Sequence, residues 1–299
     1  RFIRLQGETL ANILTLGAYQ ADEHTEALSY GTQFDVDTET RALYAQDQLQ
    51  LGANSLLAAW RTTRHETFGT HHTGELSYGY QFSHAVRAYA SYGTAFRAPD
   101  STDRFGDGGN PDLRPESARE AELGIRWQPT TAQRISLHGF LNNIDDLISY
   151  QGVWPTGVMT NTDRARIRGV ELGYQYQQGP WRVNALGISQ NPENLNTGRQ
   201  LARRAANTLT LGSSYTAGDY GLGGDVLATS SRWDTDYAAT RMPGYAVVSV
   251  FAQYRLAPNW QLRARIENLF DQPYTLAEGY QTMGRAMFVR LEYGHTSKA

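Results

Sequence analysis

Residues 260–267 have the sequence WQLRARIE, and this stretch decides the fold class. Every second residue is apolar, and the residues between them are one glutamine, two arginines and one glutamate. Successive side chains of a β-strand point to opposite faces of a sheet. The alternation therefore predicts a strand with one apolar face and one charged face.

The same alternation recurs along the chain, for example in AELGIRW at 121–127 and VELGYQY at 170–176. It predicts about fifteen strands. Their approximate positions are 1–7, 10–21, 38–51, 54–66, 70–83, 86–97, 117–129, 133–151, 157–178, 180–190, 204–217, 219–232, 244–256, 259–268 and 283–293. Short polar turns alternate with longer connections, which lie at 97–116, 190–203, 232–243 and 269–282. This asymmetry is typical of an up-and-down sheet in a membrane.

Composition excludes several classes of protein. Hydrophobic residues make up 40% of the 299 residues, but no stretch approaches the ~18–20 consecutive apolar residues of a membrane-spanning helix. The net charge of −3 gives no indication of a nucleic-acid partner, and none is expected. Cysteine is absent, which excludes a disulfide framework and a thiolate metal site.

Two architectures compete for an alternating sequence. The strands of a soluble β-sandwich average ~5–6 residues, whereas many segments here match the ~9–11 residues of a tilted membrane strand. Aromatic residues also fall at the segment ends, as interfacial girdles require. They are Tyr80, Phe96, Trp127, Tyr176, Trp181, Tyr254, Trp260 and Tyr293. We therefore predict an all-β fold, an antiparallel up-and-down transmembrane β-barrel with apolar side chains facing the lipid bilayer.

Three stretches carry a family resemblance: SYGTAFRAP at 91–99, GNPDLRPE at 109–116 and IENLFDQPY at 266–274. In this order they resemble the C-terminal barrel of TonB-dependent outer-membrane receptors, over nearly the whole chain to Tyr293. Further stretches are most similar to the cobalamin (vitamin B12) transporters of that family. They lie at 143–150, 165–171, 201–205, 232–237 and 279–285.

The resemblance implies a barrel of about 22 strands with an N-terminal plug domain and a TonB box. Neither the plug nor the TonB box is in this sequence. About seven N-terminal strands are also expected to be absent, so that about 15 of the 22 strands are present. Residues 1–293 are expected to be the partial receptor barrel, and residues 294–299 a C-terminal tail.

The implied function is active transport of cobalamin, or a similar bulky ligand, across the outer membrane of a Gram-negative cell. The TonB complex would supply the energy through the missing plug. Two alternatives stay open: a TonB-dependent siderophore or haem receptor, and a passive porin or structural barrel. Serines and histidines are present, but nothing marks a nucleophile, so no enzyme activity is expected.

Three candidate ligand-binding residues follow from the resemblance: Arg203, Tyr237 and Tyr280. Arginine would donate hydrogen bonds to a large polar ligand, and the tyrosines would stack on a flat macrocycle. The alternative roles are an arginine paired with wall carboxylates and tyrosines of the interfacial girdle.

No metal site or cofactor is expected. The aspartates of the 101–112 segment lack the spacing of an EF-hand, and we interpret them as a solvated acidic loop. They are Asp103, Asp107 and Asp112. His65, His71 and His72 have no further ligand at convincing spacing and are interpreted as surface histidines. Glu267 and Arg285 are expected to form an ion pair inside the barrel.

Overall fold

A computed structural model describes residues 2–6, 10–153, 155–235 and 240–294. The elements are β1 (Phe2–Gln6), β2 (Leu10–Ser29), β3 (Thr32–Leu51), β4 (Asn54–His65), β5 (Gly69–Gln81), β6 (Val86–Arg97), α1 (Ser101–Phe105), β7 (Glu116–Thr130), β8 (Gln133–Gln151), β9 (Val158–Gln178), β10 (Trp181–Asn194), β11 (Arg199–Gln200), β12 (Asn207–Ala217), β13 (Tyr220–Thr229), β14 (Arg232–Trp233), β15 (Arg241–Met242), β16 (Tyr245–Ala257), β17 (Trp260–Glu267) and β18 (Ala286–Tyr293). Within these ranges, no helix is long and apolar enough to cross a membrane.

One antiparallel sheet contains nearly all the strands. In the described residues fifteen strands pair in the order β1-β2-β3-β4-β5-β6-β7-β8-β9-β10-β12-β13-β16-β17-β18. The short strand β11 pairs with the C-terminal end of β10. The short strands β14 and β15 form a separate ribbon. Each main strand pairs with its neighbour along the chain, which confirms the predicted up-and-down topology. No described pairing joins β1 to β18, so these residues do not close the sheet.

The two faces of the sheet differ as the alternation predicts. On one face, called the apolar face, Leu123 is 68% exposed and Leu172 is 53% exposed. On the other, called the polar face, Arg265 holds Asp225 through two hydrogen bonds of 3.0 and 3.2 Å. Because the leucines are exposed to the surroundings rather than packed in a core, the sandwich alternative is wrong and the apolar face suits lipid contact.

Aromatic residues line the apolar face close to the short turns. Register places them directly opposite one another on adjacent strands. The pairs Trp181–Tyr215, Tyr220–Tyr254 and Trp260–Tyr293 each have ring centroids 4.9 Å apart. Such a belt is the form that an interfacial girdle takes, since amphipathic rings prefer the membrane–water boundary.

The connections fall on two opposite sides of the sheet. On the turn side, two residues suffice between β7 and β8, β9 and β10, and β16 and β17. The opposite side, called the loop side, carries most of the long connections, including 98–115, 195–206, 230–244 and 268–285. The predicted asymmetry of short turns and long loops is therefore present.

One expectation about the loop side is wrong. The strands predicted at 10–21 and 38–51 are too short, because β2 and β3 continue through residues 22–37 as a hairpin closed by Tyr30 and Gly31. Both turn residues have positive φ, 48° and 89°, as tight hairpins favour. Charged residues occupy both faces of this projecting part, as at Asp22 and Glu23. The hydrophobic alternation therefore disappears where the strands leave the apolar belt.

Candidate ligand-binding mouth

The loop-side connections fold inward over the polar face, and we call their surface the mouth. Phe105 of α1 lies 6.3 Å, ring to ring, from Phe34, which is buried on the polar face of β3. Leu201 is buried against Ala165 and Ile167 of β9. The polar face is thus the inner wall, and the loops partly roof it.

Two of these connections have opposite charge. The segment 98–115, called the acidic loop, holds four aspartates and two arginines. The segment 195–206, called the basic loop, holds three arginines and no acidic residue. A polar ligand arriving at the mouth therefore meets two different electrostatic surfaces.

Arg203 lies in the basic loop in a left-handed conformation, with φ of 56°. Its backbone N–H donates to the Trp233 carbonyl at 2.6 Å. Its Nε donates to Asp234, to Oδ1 at 3.1 Å and to the backbone oxygen at 3.2 Å. Asp234 is buried, whereas the Arg203 side chain is 59% exposed. The carboxylate fixes Nε of the guanidinium, and most of the side chain stays exposed.

Arg232 connects the 230–244 loop, which holds Asp234, to the 268–285 loop, a role that the sequence analysis missed. It is 6% exposed, and its Nη2 donates to the Thr275 and Leu276 carbonyls at 2.9 and 3.1 Å. Its guanidinium carbon lies 5.7 Å from the centre of the Tyr245 ring. An arginine two residues before an aspartate, in the stretch RWDTD at 232–236, was the available signal.

The two candidate tyrosines have different outcomes. Tyr280 lies in the 268–285 loop with 70% of its surface exposed, and its backbone N–H donates to the Ala277 carbonyl at 3.2 Å. Tyr237 lies outside the described residues. Arg203 and Tyr280 are therefore on the same side of the sheet, and the position of Tyr237 stays a prediction.

Asp103 supports the structure of the acidic loop. Arg97, the last residue of β6, binds Asp103 at 3.0 Å and Glu116 at 2.8 Å. Asp103 also closes a capping box with Asp100 at the start of α1. The aspartate that we interpreted as solvated is thus a structural residue, 14% exposed in its side chain. No group of three or more potential metal ligands was found in the described ranges.

His65 ends β4 above the apolar belt, where α1 packs on the β4–β5 turn. It is buried, accepts a hydrogen bond from the Thr67 backbone at 3.2 Å and has its ring centre 5.0 Å from that of Phe68, with the rings tilted by 48°. Burial, together with the positive charge of Arg104, lowers the pKa of His65 below its ordinary value. It is therefore a packed histidine rather than the surface residue that we expected.

The expected pair of Glu267 and Arg285 is not found among the described residues. Glu267 instead accepts from Arg265 at 3.1 Å. The backbone N–H of Arg285 donates to Asp271 at 2.7 Å. Asn268, with φ of 50°, hydrogen-bonds Gln272 through both ends of its amide and turns the chain into the loop.

The inner wall below the mouth contains a polar cleft of about 530 Å³. Arg61, Glu75, Glu120 and Glu122 are among the residues that line it. Such a wall suits water or polar protein surface and is unsuited to an apolar core.

Comparison with known proteins identifies the family. Residues 7–269 match the model of the TonB dependent receptor-like β-barrel. The chain belongs to this family of TonB-dependent receptors.

Solved structures show the same fold. The copper transporter OprC is 19% identical with a TM-score of 0.79, over 98% of this chain and 55% of that protein. The siderophore receptor PirA from Acinetobacter baumannii is 17% identical with a TM-score of 0.81, over 98% and 53%. The ferric enterobactin receptor PfeA from Pseudomonas aeruginosa, solved as a variant with enterobactin, is 18% identical with a TM-score of 0.82, over 98% and 53%.

The chain spans about half the length of these structures. The family and these neighbours are transport receptors rather than enzymes, and the family implies the outer membrane of a Gram-negative cell. The specific similarity to cobalamin transporters is not shown by these matches.

Proposed function

We propose that this chain forms the wall and mouth of a receptor that takes up an anionic metal chelate of the ferric-siderophore class. The observation that carries the proposal is the basic loop, where Arg203 is held by a buried carboxylate and still presents its guanidinium edge. Arg204 beside it is also exposed. Guanidinium groups bind anionic oxygens strongly because each N–H bond is charge-assisted.

Cobalamin is the second candidate. The stretches at 201–205, 232–237 and 279–285 favour it, and those of their residues that the structure describes lie in loop-side connections. The structures similar to this chain are siderophore and copper receptors, which favours the chelate. In either case Arg203, Tyr237 and Tyr280 are the proposed contacts to the ligand.

The polar inner wall would hold a plug domain in the complete receptor. Its charged side chains already pair along the wall, as Arg263 does with Glu292 at 3.2 Å. Exposed ion pairs of this kind are individually weak, about 0–1 kcal/mol each. A plug held by many weak polar contacts can be displaced when the TonB complex pulls on it.

Uptake by cells that express the full-length receptor tests the proposal. Radiolabelled ferric enterobactin and radiolabelled cobalamin are supplied to a strain with an active TonB complex and to a TonB-deficient strain. Saturable, TonB-dependent uptake of the chelate is expected. Saturable uptake of cobalamin alone would replace the first candidate by the second. Uptake that is unsaturable and independent of TonB would favour the passive porin and overturn both.

A further inference from the structure

Three arginines stand in a row on the apolar face, a position where charge is costly. Arg164, Arg166 and Arg168 alternate along β9 and are followed on the same face by Val170 and Leu172. A charged side chain at the middle of a bilayer costs ~2–4 kcal/mol, but this cost falls to about zero near the headgroups. The row therefore marks the upper edge of the apolar belt, at the height of the lipid headgroups.

A fourth arginine joins this row from a neighbouring strand. Register aligns Arg119 of β7 with Asn143 of β8, and Asn143 with Arg166. Arg119 forms an ion pair with Asp145 at 2.6 Å, and Arg166 donates from Nε to Asn143 at 3.1 Å. These contacts orient two of the four guanidinium groups.

The remaining two arginines are Arg164 and Arg168. Within the described part of the chain, neither Arg164 nor Arg168 forms an ion pair. The carboxylates that share this face are Asp145, already bound to Arg119, and Glu193, opposite Arg166. Four arginines thus face two carboxylates, and the patch keeps a net positive charge where a membrane presents its polar groups.

A shallow apolar groove, largely open to the surroundings, begins directly below Arg168. It has a volume of about 710 Å³ and runs across β7–β10. Leu123, Leu141 and Val170 form its walls, and Arg168 stands at its upper end. Gly139 forms part of its floor, where an added Cβ would meet only a backbone oxygen, at 3.8 Å. The missing side chain at Gly139 leaves room for a chain-like apolar group.

We propose that this groove and its arginines form a site for a phosphorylated membrane lipid, with one acyl chain over Gly139 and the phosphate against Arg168 and Arg164. Charge complementarity selects the occupant. Acyl chains are as apolar as the leucines, so burial of a chain from the bilayer gives little net gain. The guanidinium–phosphate hydrogen bonds must therefore supply the preference for this lipid over its neighbours.

The inference depends on the membrane orientation of the barrel but not on which ligand the receptor transports. Its test accordingly measures lipid binding rather than uptake. The full-length receptor is purified in detergent, stripped of lipid and titrated with phosphatidic acid or with diacylglycerol of the same acyl chains. Retained lipid is counted by native mass spectrometry. These two probes differ only in the phosphate.

Phosphatidic acid is expected to bind in preference to diacylglycerol. The double variant R164Q/R168Q should weaken its binding by about tenfold or more, the loss expected for charge-assisted hydrogen bonds. The control R199Q removes a positive charge from the basic loop instead and should leave lipid binding unchanged. Equal loss in both variants, or equal binding of the two lipids, would overturn the proposal.

A second pair of variants tests the groove itself. Replacing Gly139 by leucine fills the floor and should reduce binding of phosphatidic acid. Replacing Gly187 by leucine is the matched control, since Gly187 also lies on the apolar face of β10 with open space around its Cβ position. Added inorganic phosphate should not displace the lipid. Displacement would show an anion site in place of a lipid site and contradict the proposal.

Discussion

The acidic loop and the basic loop roof the same inner wall but use their charges in opposite ways. At the base of the acidic loop, Arg97 of β6 is shared between Asp103 of the loop and Glu116 of β7, whose side chains are 14% and 13% exposed. In the basic loop, Arg203 is bound at Nε only by Asp234, and its side chain stays 59% exposed. Asp103 of the first loop is thus neutralised by the arginine at its base, whereas Arg203 of the second loop keeps most of its side chain exposed.

This difference separates structural loops from loops that bind ligand. A charge that is already paired and partly desolvated has little left to offer a ligand. A charge that is oriented by one buried partner is positioned at low entropic cost and can still donate. We therefore expect damage to the acidic loop to appear in local stability and damage to the basic loop to appear in affinity.

The largest effect, a loss of local stability, is expected when either of two buried loop leucines is truncated. Leu113 in the acidic loop and Leu201 in the basic loop are each 3% exposed. Truncation of either to alanine should cost about 2–5 kcal/mol of local stability, because it removes buried contacts and leaves a cavity. Hydrogen exchange of the two loops measures this cost.

Only L201A should also weaken ligand binding, because Leu201 anchors the loop that carries Arg203. L113A serves as its control for a general loss of order at the mouth. Equal loss of ligand affinity in L113A and L201A would contradict the division of roles between the loops.

Replacement of Arg203 by alanine tests whether the basic loop binds the ligand through this residue. Loss of its charge-assisted hydrogen bonds should weaken binding of ferric enterobactin by about 10- to 100-fold, or 1.5–3 kcal/mol. Titration of the full-length receptor measures this. R199A in the same loop is the control. If R203A bound the chelate as tightly as R199A does, Arg203 would be excluded as a contact.

The complementary variant is R97A, at the base of the acidic loop. This variant leaves Asp103 and Glu116 without their cation. We expect the local stability of residues 98–115 to fall by about 1–2 kcal/mol. The loss is smaller than for a fully buried ion pair because Arg97 is half exposed. Ligand affinity should change less than threefold, or about 0.6 kcal/mol. A large fall in affinity with unchanged hydrogen exchange would reverse the roles of the two loops.

Tyr280 should have a smaller effect than Arg203. The ring is exposed and ready to stack on a ligand, but such a contact contributes only about 0.5–1.5 kcal/mol. We therefore expect Y280A to weaken binding by about 2- to 10-fold, measured by the same titration. Y280F should bind like the native receptor if stacking alone matters. A loss in Y280F equal to that in Y280A would assign the contact to the hydroxyl group.

Sequence could predict the faces of the sheet but not the contacts between loops. Alternation follows from the pleat of each strand, so the outward position of Leu123 was visible in the local pattern. The pair of Arg97 and Glu116 depends on the register of β6 against β7, after a connection of eighteen residues. Nothing in the local sequence fixes that register across such a loop.

The same limit explains the missed role of Arg232. The sequence showed that an arginine and an aspartate stand two residues apart in the 230–244 loop. Which loop each of them reaches depends on how three connections fold together over the wall. Arg232 bonds to Thr275 and Leu276 across more than forty residues of sequence.

The smallest expected effect is a pH dependence confined to the acidic-loop side of the mouth. The pKa of His65 is lowered by burial and by Arg104, with Glu66 opposing and His71 adding to the shift. Its Nδ1 already accepts the Thr67 N–H at 3.2 Å, so a proton there would also break this bond. Above about pH 6.5, His65 is neutral in both the folded and the unfolded state and the packing of α1 on the β4–β5 turn is intact.

As the pH falls from about 6.5 toward the lower folded-state pKa, the unfolded state takes up the proton more readily, and the packing loses stability. Hydrogen exchange of residues 66–68 and 101–105, corrected for the intrinsic rate, should therefore show weaker protection at acidic pH. H65Q cannot titrate and should abolish this change, while the basic loop should respond equally in both proteins. An identical pH response of α1 in the native protein and in H65Q would assign the effect to another group and remove His65 from the account.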